Sequence, residues 1–392
     1  FDDVVVLDFE KRRDLHQIFS GSLEPKTILK SLELALGKIV PGKTLLFFDE
    51  IQTCPKAITS LRYFYEEMPE LHIVSAGSLL EFAFGEISIP VGRVSYINLY
   101  PMTFYEYLLA LGNEVMAEEV LSPAPDSSDF IQFEVLKELN NYFLVGGMPE
   151  AVKTWCNTSS LLEVFEVQDD ILNSYRDDFS KYKPHVDIHC LDNVFKQSSL
   201  RIGEQIKYTA LDQQFSGQTN RKALELLEKA RIINKIYSTD PSGIPLGAGV
   251  NQKKFKISFL DIGLMQRLTG LPVPDNYYHS NILDLYKGKL AEQYIAQEMA
   301  AVNGRELFYW AREAKSSTAE VDYLIYYKNS ILPIEVKSGK GGSLRSMHQL
   351  LSDYPAIASG LVLYADVRKE LLSQKLLFYP LYYISSILNH KG

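Results

Sequence analysis

The sequence predicts an α/β fold class, with a parallel sheet at the N-terminus, helices in the middle and a mixed α/β region at the C-terminus. Short apolar runs alternate with helical patterns near the N-terminus, which is typical of parallel strands joined by crossover helices. Helical patterns dominate the middle of the chain, and strand patterns return near the C-terminus. Because 392 residues are too many for one ordinary core, we expect two or three domains.

Four apolar runs of β type define the N-terminal sheet, and they place the first domain at residues 1–110. The runs are Val4 to Phe9, Thr44 to Phe48, His72 to Ala76 and Val94 to Leu99. The chain begins within a strand pattern and with Phe1 rather than Met, so we expect one more strand upstream. The sheet is therefore predicted to be incomplete at its N-terminus.

The rest of the chain divides where the pattern changes. Residues 111–185 are helical and contain a Pro/Ser/Asp-rich loop, which predicts a lid or connector. Residues 186–275 give helices followed by two strands around a Gly/Pro-rich tip, which is the order of a winged helix. Residues 280–392 give a helix and further strands, which predicts a second, mixed α/β domain.

The composition is that of an ordinary folded chain, with 46% hydrophobic and 23% charged residues. No apolar run reaches the roughly 20 residues that a membrane-spanning helix needs, so no membrane partner is expected. No secretory signal opens the chain. The three cysteines are scattered and lack metal-ligand spacing, which suits reduced thiols. We therefore expect a cytoplasmic protein.

The net charge of −9 argues against a protein that coats nucleic acid along its whole length. The charge is uneven, however, because residues 181–260 hold 13 Lys/Arg and only 7 Asp/Glu. Arg221, Lys222, Lys253 and Lys254 in this segment could contact DNA phosphates. A solvated helix face, or a winged helix packed as a lid on the first domain, is the alternative and stays open.

The run Thr44 to Glu50 is an apolar strand that ends in two carboxylates, which is the form of a Walker B segment. Such a strand would deliver Asp49 to the Mg²⁺ of a nucleotide, and Glu50 would polarise the water that attacks the γ-phosphate. A core strand with an acidic end is the alternative. Ser78 follows the next strand and could sense the γ-phosphate, and Arg93 offers a cation for transition-state charge.

Residues 37–44 fit the phosphate-loop pattern GxxxxGK[ST], yet their flanks are inverted. A phosphate-binding loop needs a strand before it and a helix after it, so that backbone N–H groups face the phosphates. Here a helical pattern precedes and the Walker B strand follows, and Pro41 removes one N–H donor. We interpret the match as a helix-to-strand turn, and we expect the functional loop upstream of Phe1.

Several segments together resemble one family of bacterial and archaeal proteins. They are Leu45 to Gln52, Ala76 to Ser78, Gly92 to Tyr107, Gly146 to Glu150, Glu320 to Asp322 and Ile334 to Gly339. The family joins an AAA-type P-loop ATPase domain, of the STAND-like signal-transducing kind, to a C-terminal domain of unknown function. The resemblance covers nearly the whole chain and implies ATP and Mg²⁺ as cofactors.

The C-terminal region also suggests a metal site on its own chemistry. Asp322 lies on one predicted strand, Glu335 and Lys337 on the next, and Glu292 on the preceding helix. The three acids could hold Mg²⁺ and a scissile phosphate, and the lysine could position or activate water. This arrangement resembles the PD-(D/E)xK nucleases, whose fold is restriction-endonuclease-like; Gln349 is a weaker candidate. The alternative is an exposed hairpin with alternating polar residues.

Three functions follow from these patterns. The first is an ATP-driven switch or motor that couples hydrolysis to movement of the winged-helix and C-terminal domains, with DNA as a candidate target. The second is a metal-dependent DNA nuclease regulated by the ATPase. The third is a non-catalytic DNA-binding or scaffold protein that retains relics of both sites. ATP is the expected partner, and DNA and a second copy of the chain are the candidates left open.

Overall fold

The computed structural model describes residues 1–77, 92–122, 128–179, 186–270, 288–312, 319–337, 343–364, 369–371 and 374–389. The chain forms two compact units, Phe1–Asn98 and Leu99–Gly392. Within the described ranges, no helix combines the length and the apolar character that crossing a membrane would require.

The first unit is built on the parallel sheet that the sequence predicts. Its strands are β1 (Asp3–Asp8), β2 (Thr44–Asp49) and β3 (His72–Ser75), in the order β1-β2-β3. β1 and β3 both pair with β2 in parallel. Parallel pairing requires crossover connections, and these contain helices α1 (Pro25–Leu36) and α2 (Pro55–Glu67).

The core of this unit lies on one face of the sheet. Strand residues alternate between the faces, so that Leu7, Leu46 and Phe48 point inward and are fully buried. Helix α1 adds Ile28 and Leu32, which are four residues apart and therefore share one face. This packing holds the end of β2 in place.

The strand expected at residues 94–99 does not form, and this prediction was wrong. Residues 94–103 have no regular secondary structure. Ile97 and Leu99 are 86% and 93% exposed, so their side chains have no sheet face to pack on. A β-type pattern becomes a strand only where it finds a neighbouring strand to pair with.

The second unit begins with a group of helices. They are α3 (Phe104–Ala110), α4 (Glu114–Leu121), α5 (Asp129–Val145), α6 (Pro149–Thr158), α7 (Leu161–Phe179), α8 (Ile188–Leu200), α9 (Tyr208–Leu211) and α10 (Gly217–Lys229). Several begin at capping side chains; Thr103 and Glu106 form a reciprocal capping box at the start of α3.

A mixed sheet completes the second unit. Its elements in chain order are β4 (Ile233–Thr239), β5 (Val250–Phe259), α11 (Ile262–Thr269), α12 (Lys289–Asn303), β6 (Leu307–Ala311), β7 (Glu320–Tyr327), β8 (Ser330–Lys337), α13 (Arg345–Asp353), β9 (Gly360–Tyr364), β10 (Lys369–Leu371), β11 (Leu376–Pro380) and α14 (Ile384–Asn389). The strand order is β10-β11-β9-β8-β7-β6-β4-β5.

The hairpin β4–β5, which we expected to be the wing of a separate domain, belongs to this same sheet. β4 pairs in parallel with β6, with Ile236 opposite Leu307. The sheet is therefore continuous across the boundary expected between residues 275 and 280. As a result, side chains of β5 face the same interior as those of the C-terminal strands.

A buried polar network around Asp261 fixes the Gly146–Gly147 turn. Asp261 accepts hydrogen bonds from the backbone N–H of Gly147 (2.6 Å) and Leu264 (2.9 Å). A Cβ on Gly146, where φ is 71°, would lie 2.2 Å from Asp261 Oδ1, and one on Gly147 would lie 2.1 Å from the carbonyl oxygen of Met102. Only glycine fits at these two positions, so this conspicuous motif has a structural role.

Candidate functional site

The N-terminal candidate site lies where β2 ends. Asp49 is the last residue of β2 and pairs in register with Asp8, the last residue of β1, so two carboxylates meet at the carboxyl edge of the parallel sheet. The next residue, Glu50, adopts a left-handed conformation (φ 49°, ψ 41°) that turns the chain sharply. Non-glycine residues adopt this conformation uncommonly, and it is enriched at functional sites.

Local hydrogen bonds orient the two Walker B acids. Asp49 Oδ1 accepts from the Glu50 backbone N–H at 3.1 Å, and Glu50 Oε2 accepts from the side-chain amide of Gln52. Both acids are half-buried, and neither forms an ion pair with any residue that the structure describes. Gln52 was missed as a site residue by the sequence reasoning, although it lies only two positions beyond the acid pair.

Asp8 forms different hydrogen bonds from Asp49, its neighbour on β2. Its Oδ1 accepts from the backbone N–H groups of Glu10 and Lys11, both at 2.9 Å, and so caps the turn after β1. Asp49 Oδ2 has no hydrogen-bond partner among the described residues. A carboxylate oxygen of this kind fits a magnesium ligand, because Mg²⁺ prefers oxygen donors and is held by few protein carboxylates.

Arg93 lies against α2 rather than beside the acid pair. Its Nε donates to Glu66 Oε1 at 3.1 Å, and its side chain is 42% exposed. Hydrogen bonding by Arg62 and then by Arg93 lowers the pKa of Glu66. Ser78, the other residue expected near the γ-phosphate, lies outside the described residues.

The phosphate-loop pattern at residues 37–44 lies in the turn between α1 and β2. Gly37 follows the last residue of α1, and the Gly42 N–H donates to the Glu70 carbonyl oxygen at 2.8 Å. A helix therefore precedes the segment and a strand follows it, the reverse of a phosphate-binding loop. This agrees with the interpretation that the match is a decoy.

The C-terminal candidate site is a cluster of charged side chains drawn from four elements of the second unit. We call it the acidic cluster; its members are Glu292 of α12, Glu320 and Asp322 of β7, Glu335 and Lys337 of β8, and Lys256 of β5. The structure thus brings Glu292, Asp322, Glu335 and Lys337 close to one another, as the sequence predicts. The sequence reasoning assigned neither Lys256 nor Glu320 to this cluster.

Lys256 provides the cation at the centre of the acidic cluster. Its Nζ contacts Glu320 Oε1 and lies 3.6 Å from both Glu292 Oε2 and Asp322 Oδ1. It also lies 5.2 Å from the centre of the Tyr309 ring. Because Lys256 is only 2% exposed, these carboxylates replace the water that would otherwise solvate its charge.

The remaining contacts of the acidic cluster lie on β7 and β8. Asp322 Oδ2 accepts from the Val336 N–H at 2.8 Å, and Lys337 Nζ pairs with Glu335 Oε1 at 2.6 Å. The other oxygen of Glu335, Oε2, is buried without a hydrogen-bond partner in the part of the chain that the structure describes. A buried acceptor without a partner is costly, and such groups concentrate at functional sites.

Burial dominates the electrostatics of the acidic cluster. Burial and then Asp322 raise the pKa of Glu292 to about 8, and the same two causes raise the pKa of Glu335 to about 7. Burial alone would lower the pKa of Lys256, but the carboxylates of Glu292, Asp322 and Glu320 outweigh it and raise that pKa. Part of the negative charge is therefore balanced by Lys256 and part by protons.

The acidic cluster does not fit a divalent metal ion in the described arrangement. Among the described residues, no three His, Cys, Asp or Glu side chains are placed to hold one. The carboxylates instead converge on the ammonium of Lys256. Gln349, the weaker candidate, donates to Asp353 at 2.7 Å.

Comparison with protein families places an AAA domain at the N-terminus. Residues 1–108 match an AAA domain. This match supports an AAA-type P-loop ATPase and implies ATP binding. Residues 136–275 match one domain of unknown function, DUF8612, and residues 287–384 match another, DUF4143. The C-terminal match is to a domain of unknown function only, so nuclease activity stays a prediction.

Comparison with individual proteins adds little beyond the AAA domain. No curated protein matches the chain. The crystal structure of protein VC1899 from Vibrio cholerae aligns over 99% of this chain and 96% of its own, with 10% identity and a TM-score of 0.20. A likeness at that score carries no argument about either fold or function.

The basic residues expected to contact DNA divide into exposed and paired groups. Lys222 and Lys253 are exposed, Lys254 is half-buried, and Arg221 pairs with Glu225 at 2.7 Å along α10. Two other lysines of the basic segment are buried in ion pairs: Lys256 in the acidic cluster and Lys235 with Glu228. The positive surface is therefore smaller than the sequence count suggests.

Proposed function

We propose that the natural protein binds ATP with Mg²⁺ and hydrolyses it at the end of β2. The observation that carries this proposal is the position of Asp49 and Glu50 at the carboxyl edge of a parallel sheet, inside the segment that matches an AAA domain. Mg²⁺ supplies charge neutralisation on the phosphates when it is bound. Asp49 would hold the ion through its Oδ2.

Glu50 would act on the attacking water. Its carboxylate accepts a hydrogen bond from Gln52, which fixes the orientation of the side chain before nucleotide binds. In that position Glu50 would polarise the water and accept its proton, since a carboxylate is an effective general base when it is pre-positioned. Arg93 would stabilise transition-state charge after leaving Glu66.

The test is the substitution Glu50→Gln, which keeps the shape of the side chain but removes its ability to accept a proton. We expect ATP turnover to fall at least 100-fold, while the Kd for a fluorescent ATP analogue changes less than threefold. The matched control is Glu67→Gln, an exposed position on α2. Unchanged turnover in Glu50→Gln would remove the assignment.

We extend the proposal to a nucleotide-driven switch that acts on DNA. The exposed cations Lys222 and Lys253 support this extension. DNA binding through such residues depends on salt, because phosphate contacts release counterions. A Lys222→Ala/Lys253→Ala double variant should therefore weaken binding and flatten its salt dependence. Equal binding by wild type and variant at every salt concentration would reject these contacts.

DNA cleavage is the second candidate function. It would use the cluster of Glu292, Asp322, Glu335 and Lys337, and it requires the ammonium of Lys256 to leave these carboxylates before a metal ion can bind. Its test is cleavage of plasmid DNA in the presence of Mn²⁺. If the activity belongs to this cluster, Asp322→Ala and Lys337→Ala each abolish it. Cleavage that survives both substitutions would come from elsewhere. If the wild type cleaves no DNA at any metal concentration, the proposal of nuclease activity is rejected.

A further inference from the structure

The acidic cluster contains its own cation. We propose that Lys256 is a tethered cation that closes this cluster to divalent metal ions, and that removing its charge creates a metal site. This inference needs neither ATP hydrolysis nor DNA cleavage, since it concerns only what the carboxylates bind.

The ammonium occupies the position that a metal ion would need. Its nitrogen contacts Glu320 and lies 3.6 Å from one oxygen each of Glu292 and Asp322. A magnesium ion bound by these oxygens would have to lie about 2.1 Å from each of them, inside the space that the ammonium fills. Two cations cannot share that space, because both steric overlap and charge repulsion oppose it.

The acids are well placed to accept a different cation if Lys256 is neutral. Glu335 is 5% exposed, and its Oε2 has no hydrogen-bond partner among the described residues. Asp322 is held by the Val336 N–H, so its carboxylate is already oriented. Among the described residues, four carboxylates face two lysines, Lys256 and Lys337, which leaves an excess of acidic groups. The cluster therefore has donor atoms for a metal ion, but the ammonium of Lys256 occupies the space between them.

The backbone that carries Lys256 is fixed on both sides. Lys256 pairs with Ile236 across the β4–β5 hairpin, and the neighbouring Phe255 carbonyl oxygen accepts from the Ile206 N–H at 2.9 Å. Gly203 closes the cluster from another side, since a Cβ there would lie 2.8 Å from Glu292 Oε2. The ammonium can leave only if its side chain rotates or the hairpin moves, so metal binding would be coupled to this part of the sheet.

A purely structural ion pair makes a different prediction. If Lys256 served only stability, its loss would weaken the fold and a metal ion would bind neither protein. If Lys256 excludes metal, its loss should be compensated by a divalent ion, which carries positive charge to the same carboxylates. Metal binding by a lysine-to-neutral variant separates the two roles.

The experiment is isothermal titration with Mn²⁺ of proteins that all carry Asp49→Asn, so that the N-terminal acid does not contribute. Wild-type Lys256 and the charge-preserving Lys256→Arg should show no saturable binding at millimolar Mn²⁺. Lys256→Met keeps the apolar stem over Tyr309 and should bind Mn²⁺ with a Kd at least tenfold lower than any wild-type binding. The matched control is Lys229→Met, an exposed lysine on α10 of the same unit, which should behave as wild type.

Two further outcomes decide the proposal. Binding by Lys256→Met should disappear when Asp322→Asn is added, since that substitution removes one of the carboxylates. If Lys256→Met does not fold in metal-free buffer, Mn²⁺ should restore its native tryptophan fluorescence. Equal Mn²⁺ affinity in wild type and Lys256→Met, a folded Lys256→Met that binds no metal, or an unfolded one that Mn²⁺ does not restore would overturn the proposal.

Discussion

The two acidic sites of this protein differ in how their negative charge is compensated. Asp49 and Glu50 lie half-buried at the end of β2 and form no ion pair among the described residues. The acids around Lys256 surround an ammonium that is only 2% exposed, so the protein itself supplies their counter-charge. The first site suits a cation that arrives bound to a ligand. The second site already contains a cation, the ammonium of Lys256.

The difference teaches that an acid at the end of a strand does not define a metal site by itself. A carboxylate that water solvates needs no ion-pair partner. Asp49 can therefore stay ionised without Mg²⁺ at little cost in free energy. Buried carboxylates must be neutralised within the fold by a cation or by a proton. Whether a cluster is neutralised by a cation or by a proton depends on residues distant in sequence. Substitution of those residues tests this.

The largest effect on stability is expected from removing the internal cation. Lys256→Met leaves Glu292, Glu320 and Asp322 without the buried ammonium that they contact, and we expect the free energy of unfolding in metal-free buffer to fall by about 3 kcal/mol. Urea denaturation followed by tryptophan fluorescence measures this, because both tryptophans, Trp155 and Trp310, lie in the second unit.

The corresponding substitution in the first unit should be nearly neutral. Asp49→Asn removes a half-buried charge that has no ion-pair partner among the described residues, so circular dichroism should show a change of less than about 1 kcal/mol. If the two substitutions destabilise their units equally, the contrast between the sites does not hold.

The sequence predicts those features of the fold and of the two sites that depend on a local pattern of residues. The alternation of apolar runs and helices predicts β1, β2 and β3, and each is present. The convergence of Asp322, Glu335 and Lys337 is predictable too, because a short hairpin places β7 and β8 side by side. Each of these features depends on residues close together in the chain.

The parts that sequence does not predict depend on distant pairing. Lys256 reaches the acidic cluster because β4 joins the sheet beside β6, and no local pattern reveals that β4–β5 is part of the C-terminal sheet. Residues 94–99 have a β-type pattern, but a strand also needs a partner. In both cases the tertiary neighbour, rather than the local sequence, decides the outcome.

A second prediction uses Glu298, which lies on the same helix as Glu292 but forms no ion pair with any residue that the structure describes. Glu298 accepts hydrogen bonds from the Phe104 N–H (2.8 Å) and the Ser385 hydroxyl (2.6 Å), and burial raises its pKa to about 7. The folded protein therefore binds this proton more tightly than the unfolded chain does. The stabilisation is complete below the unfolded pKa and is lost as pH rises through about 7.

Glu298→Gln introduces a neutral side chain that does not titrate. Comparison of this variant with wild type therefore isolates the effect of the Glu298 proton. Between pH 5 and pH 8, the stability of wild type relative to Glu298→Gln should fall by an amount on the order of 2 kcal/mol. Urea denaturation at each pH, followed by tryptophan fluorescence, gives the difference. Glu163→Gln, at an exposed position in the same unit, should show no such pH dependence. A constant difference across this range would mean that Glu298 titrates alike in both states.

A third prediction compares the decoy phosphate loop, at the start of β2, with the acid pair at the end of that strand. Gly42 has φ of 79°, a conformation that alanine adopts with strain, so Gly42→Ala should destabilise the first unit by about 1 kcal/mol. Lys43 is exposed, and Lys43→Ala should be neutral. Neither should change ATP turnover by more than twofold. A loss of turnover comparable to that of Glu50→Gln would show that residues 37–44 bind phosphate after all.

The smallest effect on stability is expected from Arg93, whose ion pair with Glu66 is exposed to solvent. Such pairs contribute little, because water screens the charges and both side chains lose freedom. Arg93→Ala should therefore leave the thermal unfolding midpoint unchanged while lowering kcat for ATP at least tenfold. Glu66→Ala removes the same ion pair but keeps the cation, and should retain turnover. If Arg93→Ala also retains turnover, Arg93 is a surface residue that pairs with α2 and has no catalytic role, and the stabilising cation lies elsewhere. If both variants lose turnover equally, the pair matters for positioning rather than for transition-state charge.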